Sequence, residues 1–322
     1  MEEMEEVKEI KNKAKKRLVN FDFFRVCVID GSDEAEKLYD LVELLNHLNN
    51  LEPNEKIIYY QGERARMNTI TMHQDKPYGL FQFNLCRLRE DGPGITSIIS
   101  SELSNIRLEE NEYIAEDINI LYDDELHVLM VQRNMHSLSP SGLEAYFQSY
   151  VDKLDPNNNY TISLQLIPDI DSTAKAKGKE IYRKLTLRVA SNKVNQITED
   201  SVGDAFRNLQ GLEGHTVEIT ITAKSQKNAK LKSKEIKNII EMVEQDQDTY
   251  LKAEVSGKDS DTTPVEKFDL VRGKYRVKRF YQVPAKHHLR SASVLEDITP
   301  LYMDNIRNEI MKNLELNLQH NK

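Results

Sequence analysis

One stretch of the chain concentrates cations. Arg272, Lys274, Arg276, Lys278 and Arg279 interleave with Tyr275 and Tyr281 and are followed by Lys286, His287, His288 and Arg290, with no acid between Asp269 and Glu296. Strand alternation puts Lys274, Arg276 and Lys278 on one face and Tyr275, Val277 and Arg279 on the other. A row of cations beside aromatic rings suits a phosphate backbone with occasional base stacking. Arg272, Lys274, Tyr275, Arg276, Lys278, Arg279, Tyr281 and Arg290 are therefore the candidate nucleic-acid-binding residues. Lys224, Lys227, Lys230, Lys232 and Lys234 extend the surface if the fold brings them near. A solvated strand face that neutralises acids elsewhere accounts for the run equally well.

A second cluster begins where Gln132, Arg133 and Asn134 leave an apolar strand, with His136 ahead of a helix start at Ser139 and Pro140. Backbone amides at a helix N-terminus beside a guanidinium can hold a phosphate or carboxylate, so these four residues form an anion-binding candidate. The competing account is a plain strand-to-helix connection in which Arg133 pairs with Asp123 or Glu125. Carboxylates such as Asp123, Asp124, Asp169 and Asp171 read better as turn formers than as a metal cage, because no Asp followed by Glu-x-Lys accompanies them. His287 and His288 are adjacent, project apart on a strand and lack further ligands at metal spacing. No catalytic residue, metal or cofactor is expected, and Ser, Cys and His form no readable triad.

The elements that would position these groups follow from periodicity. Residues 1–19 run from Glu2, Glu3, Glu5 and Glu6 to Lys13, Lys15, Lys16 and Arg17, the charge order that favours a helix or a frayed leader. Strands are expected at 21–29, 56–60, 64–73, 78–89, 113–122 and 127–132. A helix at 34–48 carries Leu38, Leu41, Leu45 and Leu48, and Asp91, Gly92, Pro93 and Gly94 mark a loop. Further on, strands at 161–167, 182–189, 215–222, 250–255 and 274–283 alternate with helices at 172–179, 200–209 and 230–245. A final helix at 295–318 presents Ile298, Leu301, Tyr302, Ile306, Ile310 and Leu314, a stripe that packs on its own sheet or forms a dimer seam.

The whole is 322 residues with 39% hydrophobic and 30% charged residues, enough for two domains. Net charge is −9, from 44 Lys plus Arg against 53 Asp plus Glu, which argues against a chain coated in base while leaving room for a local basic groove. Residues 1–150 hold 16 basic and 28 acidic side chains, and residues 151–322 hold 28 and 25. The sign changes near Asp155-Pro156-Asn157-Asn158-Asn159, so the expected architecture is α+β with two domains, 1–155 and 156–322, each a mostly antiparallel sheet with helices. Mean hydropathy is −0.61 and no apolar run approaches the roughly 18 residues that span a bilayer. Cys27 and Cys86 sit among alternating apolar residues, as reduced buried thiols do, and a cytoplasmic location is expected.

Leu121-Tyr122-Asp123, then Val128-Leu129-Met130-Val131-Gln132-Arg133-Asn134, Leu138-Ser139-Pro140-Ser141 and Tyr146-Phe147 carry a resemblance to an uncharacterised family of bacterial and prophage proteins of similar length. Leu185-Thr186-Leu187-Arg188-Val189 and Phe268-Asp269-Leu270-Val271 also look like that family. The layout is similar to that of the cytoplasmic DNA-binding component of the Kiwa antiphage system. The resemblance implies a setting, mobile elements and conflict with phage, and brings no residue roles. The resulting expectation is an intracellular binding, sensor or accessory protein that contacts nucleic acid or an acidic phage-encoded protein through the basic strand. The alternatives are a nuclease-like hydrolytic effector with its site near Arg133, Asn134 and His136, and a homo-oligomeric scaffold joined through the final helix.

Overall fold

A strand of 16 residues, β1 (Lys15–Asp30), forms the spine of the larger of two sheets in the computed structural model. The structure describes residues 14–30, 33–73, 78–169, 171–197, 201–210, 212, 214–226, 229–246, 249–271 and 273–320. β1 can sit in the middle because it is apolar on both faces: Phe21 and Phe23 point one way, Phe24 and Val26 the other, and all four are buried. Around it lie β2 (Asp33–Leu38), α1 (Val42–Asn49), β3 (Ile57–Tyr60), β4 (Glu63–His73), β5 (Leu80–Arg89), β6 (Ile114–Asp123), β7 (Val128–Gln132), α2 (Pro140–Leu154) and β8 (Tyr160–Leu166).

The chain divides into two compact units. Unit 1 comprises the described residues up to Ile167 together with Arg276–Leu314, and unit 2 holds Pro168–Tyr275 and the described residues from Glu315 on. Unit 2 contains α3 (Ser172–Lys177), β9 (Ile181–Ala190), α4 (Ser201–Gln210), β10 (Thr216–Thr222), α5 (Ser233–Gln245), β11 (Tyr250–Lys258) and β12 (Glu266–Asp269). The chain then re-enters unit 1 as β13 (Arg276–Val283), α6 (Ser291–Leu301), one π-helical turn (Tyr302–Ile306) and α7 (Arg307–His320), which counts with unit 1 as far as Leu314. Two expectations change accordingly. The Asp155–Asn159 turn joins α2 to β8 within unit 1 instead of separating two domains, and the last strand and helix belong with the N-terminal sheet.

The unit 1 sheet is antiparallel in the order β13-β1-β7-β6-β5-β4-β3, with β2 and β8 also paired to β1. Its β3–β4 hairpin turns through Gln61 and Gly62, both at positive φ (51° and 83°), the two-residue geometry whose twist matches that of the strands. One face packs Leu41, just ahead of α1, with Leu44, Leu45 and Leu48 of α1 and Leu143, Tyr146 and Phe147 of α2 against Phe81, Phe83, Ile118 and Ile120. The Ser139 hydroxyl caps α2 by accepting from the Gly142 amide at 3.2 Å, with Pro140 at the first helical position. Tyr146 and Tyr150 donate their hydroxyls to the carbonyls of Lys56 and Glu55, both at 2.7 Å, which fixes the helix on its sheet.

α6 packs over β6 on the other face. Of the apolar stripe of the final helix, Ile298, Tyr302, Ile306 and Ile310 are buried within unit 1, whereas Leu301 and Leu314 are partly exposed, so most of the stripe packs within its own unit. The helix begins at Ser291 and is interrupted. Pro300 has no N–H for the Glu296 carbonyl, and the chain passes through the π turn before regular helix resumes. Unit 2 is a four-stranded antiparallel sheet, β10-β9-β11-β12, whose core includes Tyr182, Leu187, Phe206, Ile240 and Val255. Its two ends meet, with Pro168 bridged to Lys274 and the Asp169 amide donating to the Gly273 carbonyl at 2.7 Å. Gly273 is required there, because an added Cβ would lie 2.8 Å from the Asp269 carbonyl oxygen.

Two sequence expectations near the N-terminus are corrected. Residues 15–19 are strand, because β13 supplies a hydrogen-bonding partner that local charge order does not reveal; residues 1–13 lie outside the described residues. The helix expected at 34–48 is β2 followed by the shorter α1, since Leu38 pairs with Cys27 on β1 and only the later leucines form the stripe.

Candidate functional site

The expected basic strand exists as β13, and its neighbour decides what its charges do. β13 pairs with the first half of β1, aligning Leu18 with Phe280, Val19 with Arg279, Asn20 with Lys278, Phe21 with Val277 and Asp22 with Arg276. Opposed residues share a face. The inner face carries Lys15, Arg17, Val19, Phe21, Arg279 and Tyr281, and the outer face carries Lys16, Leu18, Asn20, Asp22, Arg276, Lys278, Phe280 and Gln282.

On the inner face the cation of β13 is taken up. Arg279 grips Asp297 of α6 with two nitrogens, at 2.9 and 2.5 Å, and the Tyr281 hydroxyl donates to the same carboxylate at 2.8 Å. The Arg279 bond holds the Asp297 carboxyl below its ordinary 3.8, and burial pushes the Tyr281 hydroxyl well up, so tyrosine stays the donor. These two residues lock α6 onto the ribbon.

The outer face is different. Arg276 is paired with the buried Asp22 at 2.6 and 3.1 Å, and Arg133 reaches the same carboxylate at 3.5 Å. Lys278 is exposed and forms no ion pair with any described residue. Phe280 is 59% exposed, Leu18 is 46% exposed, and the Lys16 ammonium sits 4.2 Å from the Phe280 ring centroid. Here an exposed aromatic ring is flanked by two lysines on a two-stranded ribbon, open to a ligand.

The remaining expected residues fall in either unit or outside the described residues. Arg272 lies outside the described residues. Lys274 is exposed and Tyr275 is buried, both in unit 2, with the Lys175 ammonium 5.9 Å from the Tyr275 ring. Arg290 is exposed just ahead of α6. Lys224, Lys230, Lys232 and Lys234 belong to unit 2, and Lys227 is outside the described residues. Lys16, Leu18 and Phe280 were not singled out from sequence. Phe280 was legible as the i+2 neighbour of Lys278, whereas Lys16 and Leu18 were hidden by the helical reading of residues 1–19.

The anion-binding candidates do not converge. Gln132 is buried and accepts from Asn119 at 2.7 Å. Asn134 donates to Glu116 and to the Asp117 carbonyl, at 3.2 and 3.0 Å, and its carbonyl accepts from the His136 amide. Arg133 turns to the ribbon and His136 is exposed. Asp123 and Glu125 pair not with Arg133 but with Arg307 at the start of α7, which reaches Asp123 at 2.7 Å. Tyr302 adds a hydrogen bond to Asp123 at 3.0 Å, so the carboxylate of this fully buried residue is matched by a guanidinium and a hydroxyl.

Beneath the start of α6 lies a polar stripe. Asn84 donates to Asp117 and Ser291, at 2.9 and 3.0 Å, Ser291 donates to Asp117 at 2.7 Å, and Asn68 donates to Asn84 and the Cys86 sulfur, at 3.0 and 2.7 Å. Burial raises the Cys86 thiol to about 11, so it is protonated at neutral pH, an unreactive state for a nucleophile. Neither cysteine forms a disulfide and both are buried. No group of three or more His, Cys, Asp or Glu side chains suited to a metal ion occurs among the described residues. No helix among them is long and apolar enough to cross a membrane.

No curated protein matches the sequence. Residues 14–312, which include the whole of the β1/β13 ribbon and the helices that brace it, match the model of a family of unknown function, DUF6731, and the chain belongs to that family.

Proposed function

We propose that this chain is a binding protein that holds a nucleic-acid strand on the outer face of the β1/β13 ribbon. The observation that carries the reading is Phe280, exposed between Lys278 and Lys16. Ring and lysines together match what an unpaired nucleotide offers, a π-face for stacking and phosphates on either side. Base stacking on an aromatic contributes about 1–3 kcal/mol per base, and the lysines add a salt-dependent term. A two-stranded ribbon also fits the major groove of duplex DNA, so single-stranded and duplex ligands are compared directly. A setting in phage defence or on a mobile element is part of the same proposal and rests on the resemblance in layout alone.

The test is fluorescence anisotropy with labelled single-stranded DNA, single-stranded RNA and duplex DNA at several salt concentrations, with K16E/K278E and F280A beside the parent chain. The expected result is binding that weakens as salt rises, with the magnitude of the log–log slope smaller by about 1.4 for single strands when both lysines are reversed. Absence of oligonucleotide binding, or binding indifferent to K16E/K278E, overturns the reading. Capture of a polyglutamate probe without oligonucleotide would reassign the face to an acidic protein surface.

A further inference from the structure

The connection from β5 to β6, residues 90–113, carries the most exposed apolar side chains among the described residues. Ile98 and Ile99 are 102% and 96% exposed, Leu103 76% and Ile95 50%. They are presented on a closed lobe: Ile95 and Ser104 exchange backbone hydrogen bonds at 2.7 and 2.8 Å, and the Thr96 hydroxyl donates to the Ser100 carbonyl at 3.0 Å inside it. Isoleucines at the tip of a hydrogen-bonded lobe make an apolar knob, and exposed apolar clusters of this kind mark binding surfaces. The surrounding charge is one-sided. Residues 90–112 hold Glu90, Asp91, Glu102, Glu109, Glu110 and Glu112 against Arg107 alone.

A fitting partner therefore presents exposed apolar side chains among cations, and this chain carries such a surface. The outer ribbon face sets Leu18 and Phe280 between Lys16 and Lys278. The two patches have the same apolar character and opposite charge, and neither is covered by the described residues of its own chain. We infer that the β5–β6 lobe of one copy docks on the outer β1/β13 face of a second copy, with Ile98 and Ile99 against Leu18 and Phe280 and with Glu102, Glu109 and Glu110 facing Lys16 and Lys278. The contact joins two different patches, so it is heterologous and propagates into a ring or an open chain. It covers the face assigned above to nucleic acid, making self-association and oligonucleotide binding mutually exclusive, yet it does not depend on that assignment.

Light scattering and sedimentation across a concentration series test it on the full chain. The parent mass is expected to rise with concentration at low salt and to fall at high salt. I98S/I99S, K16E/K278E and E102K/E109K/E110K are each expected to weaken association by about tenfold or more while melting like the parent. The decisive arm mixes the two charge-reversed variants. An acidic lobe then meets a basic ribbon and a basic lobe meets an acidic ribbon, so the equimolar mixture is expected to associate where each variant alone does not. A parent chain that stays monomeric throughout, association unaffected by the variants, or a mixture that stays monomeric overturns the inference. I98S/I99S leaves the ribbon untouched, so retained oligonucleotide binding in that variant separates this proposal from the functional one.

Discussion

The two faces of one ribbon carry similar residue types to opposite ends. On the inner face Arg279 and Tyr281 converge on Asp297, and on the outer face Lys278 and Phe280, one residue away from each, remain open to solvent. The difference lies in what is packed opposite. α6 brings a carboxylate to the inner face, whereas on the outer face Asp22 engages Arg276 and leaves Lys278 beyond its reach. A cation in a basic run thus acts as a brace or as a surface charge according to its partner across the fold.

Perturbations of the bracing charges should exceed those of the open ones. The largest effect is expected for Arg307→Ala, which leaves the fully buried Asp123 without its guanidinium; a loss of about 3–5 kcal/mol in urea unfolding would place it with other broken buried pairs, and under 1 kcal/mol would show that the pair does not hold α7. Asp297→Asn comes next, at about 1–2 kcal/mol at neutral pH, since the pair is partly solvated. Because the folded carboxyl titrates below its ordinary 3.8, the Asp297 contribution is fully present above that value and is lost as pH falls through the folded one. The parent should therefore lose stability below pH 4 more steeply than the Asn variant, and parallel curves would refute the assignment.

Solvent exclusion under α6 gives a third comparison. With its thiol raised to about 11, Cys86 should resist alkylation at pH 8 in the folded chain and react on unfolding, and rapid labelling of the native protein would contradict the burial. The smallest stability effect belongs to K16E/K278E, expected within about 0.5 kcal/mol of the parent in the same unfolding assay, in contrast to its effect on binding. A large destabilisation there would mean that the outer face is also a brace.

Much of the fold was legible because its signal is local. The short apolar runs in Ile114–Asp123 and Val128–Gln132, the Ser139-Pro140 start of α2 and the stripe through Ile298 and Tyr302 are all signals carried by neighbouring residues. Residues 15–19 were not, because acid-to-base charge order favours a helix and only β13, more than 250 positions away in sequence, makes them a strand. The division of the chain was hidden for a similar reason. A turn-rich pentapeptide at 155–159 looks like a linker, but β8 beyond it pairs with β1 and returns the chain to the first sheet.

The sequence by itself determined that an antiparallel α+β protein would carry an acid-free basic strand ahead of a terminal amphipathic helix, since composition and period are properties of neighbouring residues. Only the tertiary structure decided which of those cations remain available. Asp22 is 254 residues from Arg276 and Asp297 is 18 residues from Arg279, and an ion pair depends on distance in space. The same pairing left Lys16, Leu18, Lys278 and Phe280 on one open face, a juxtaposition made by strand register.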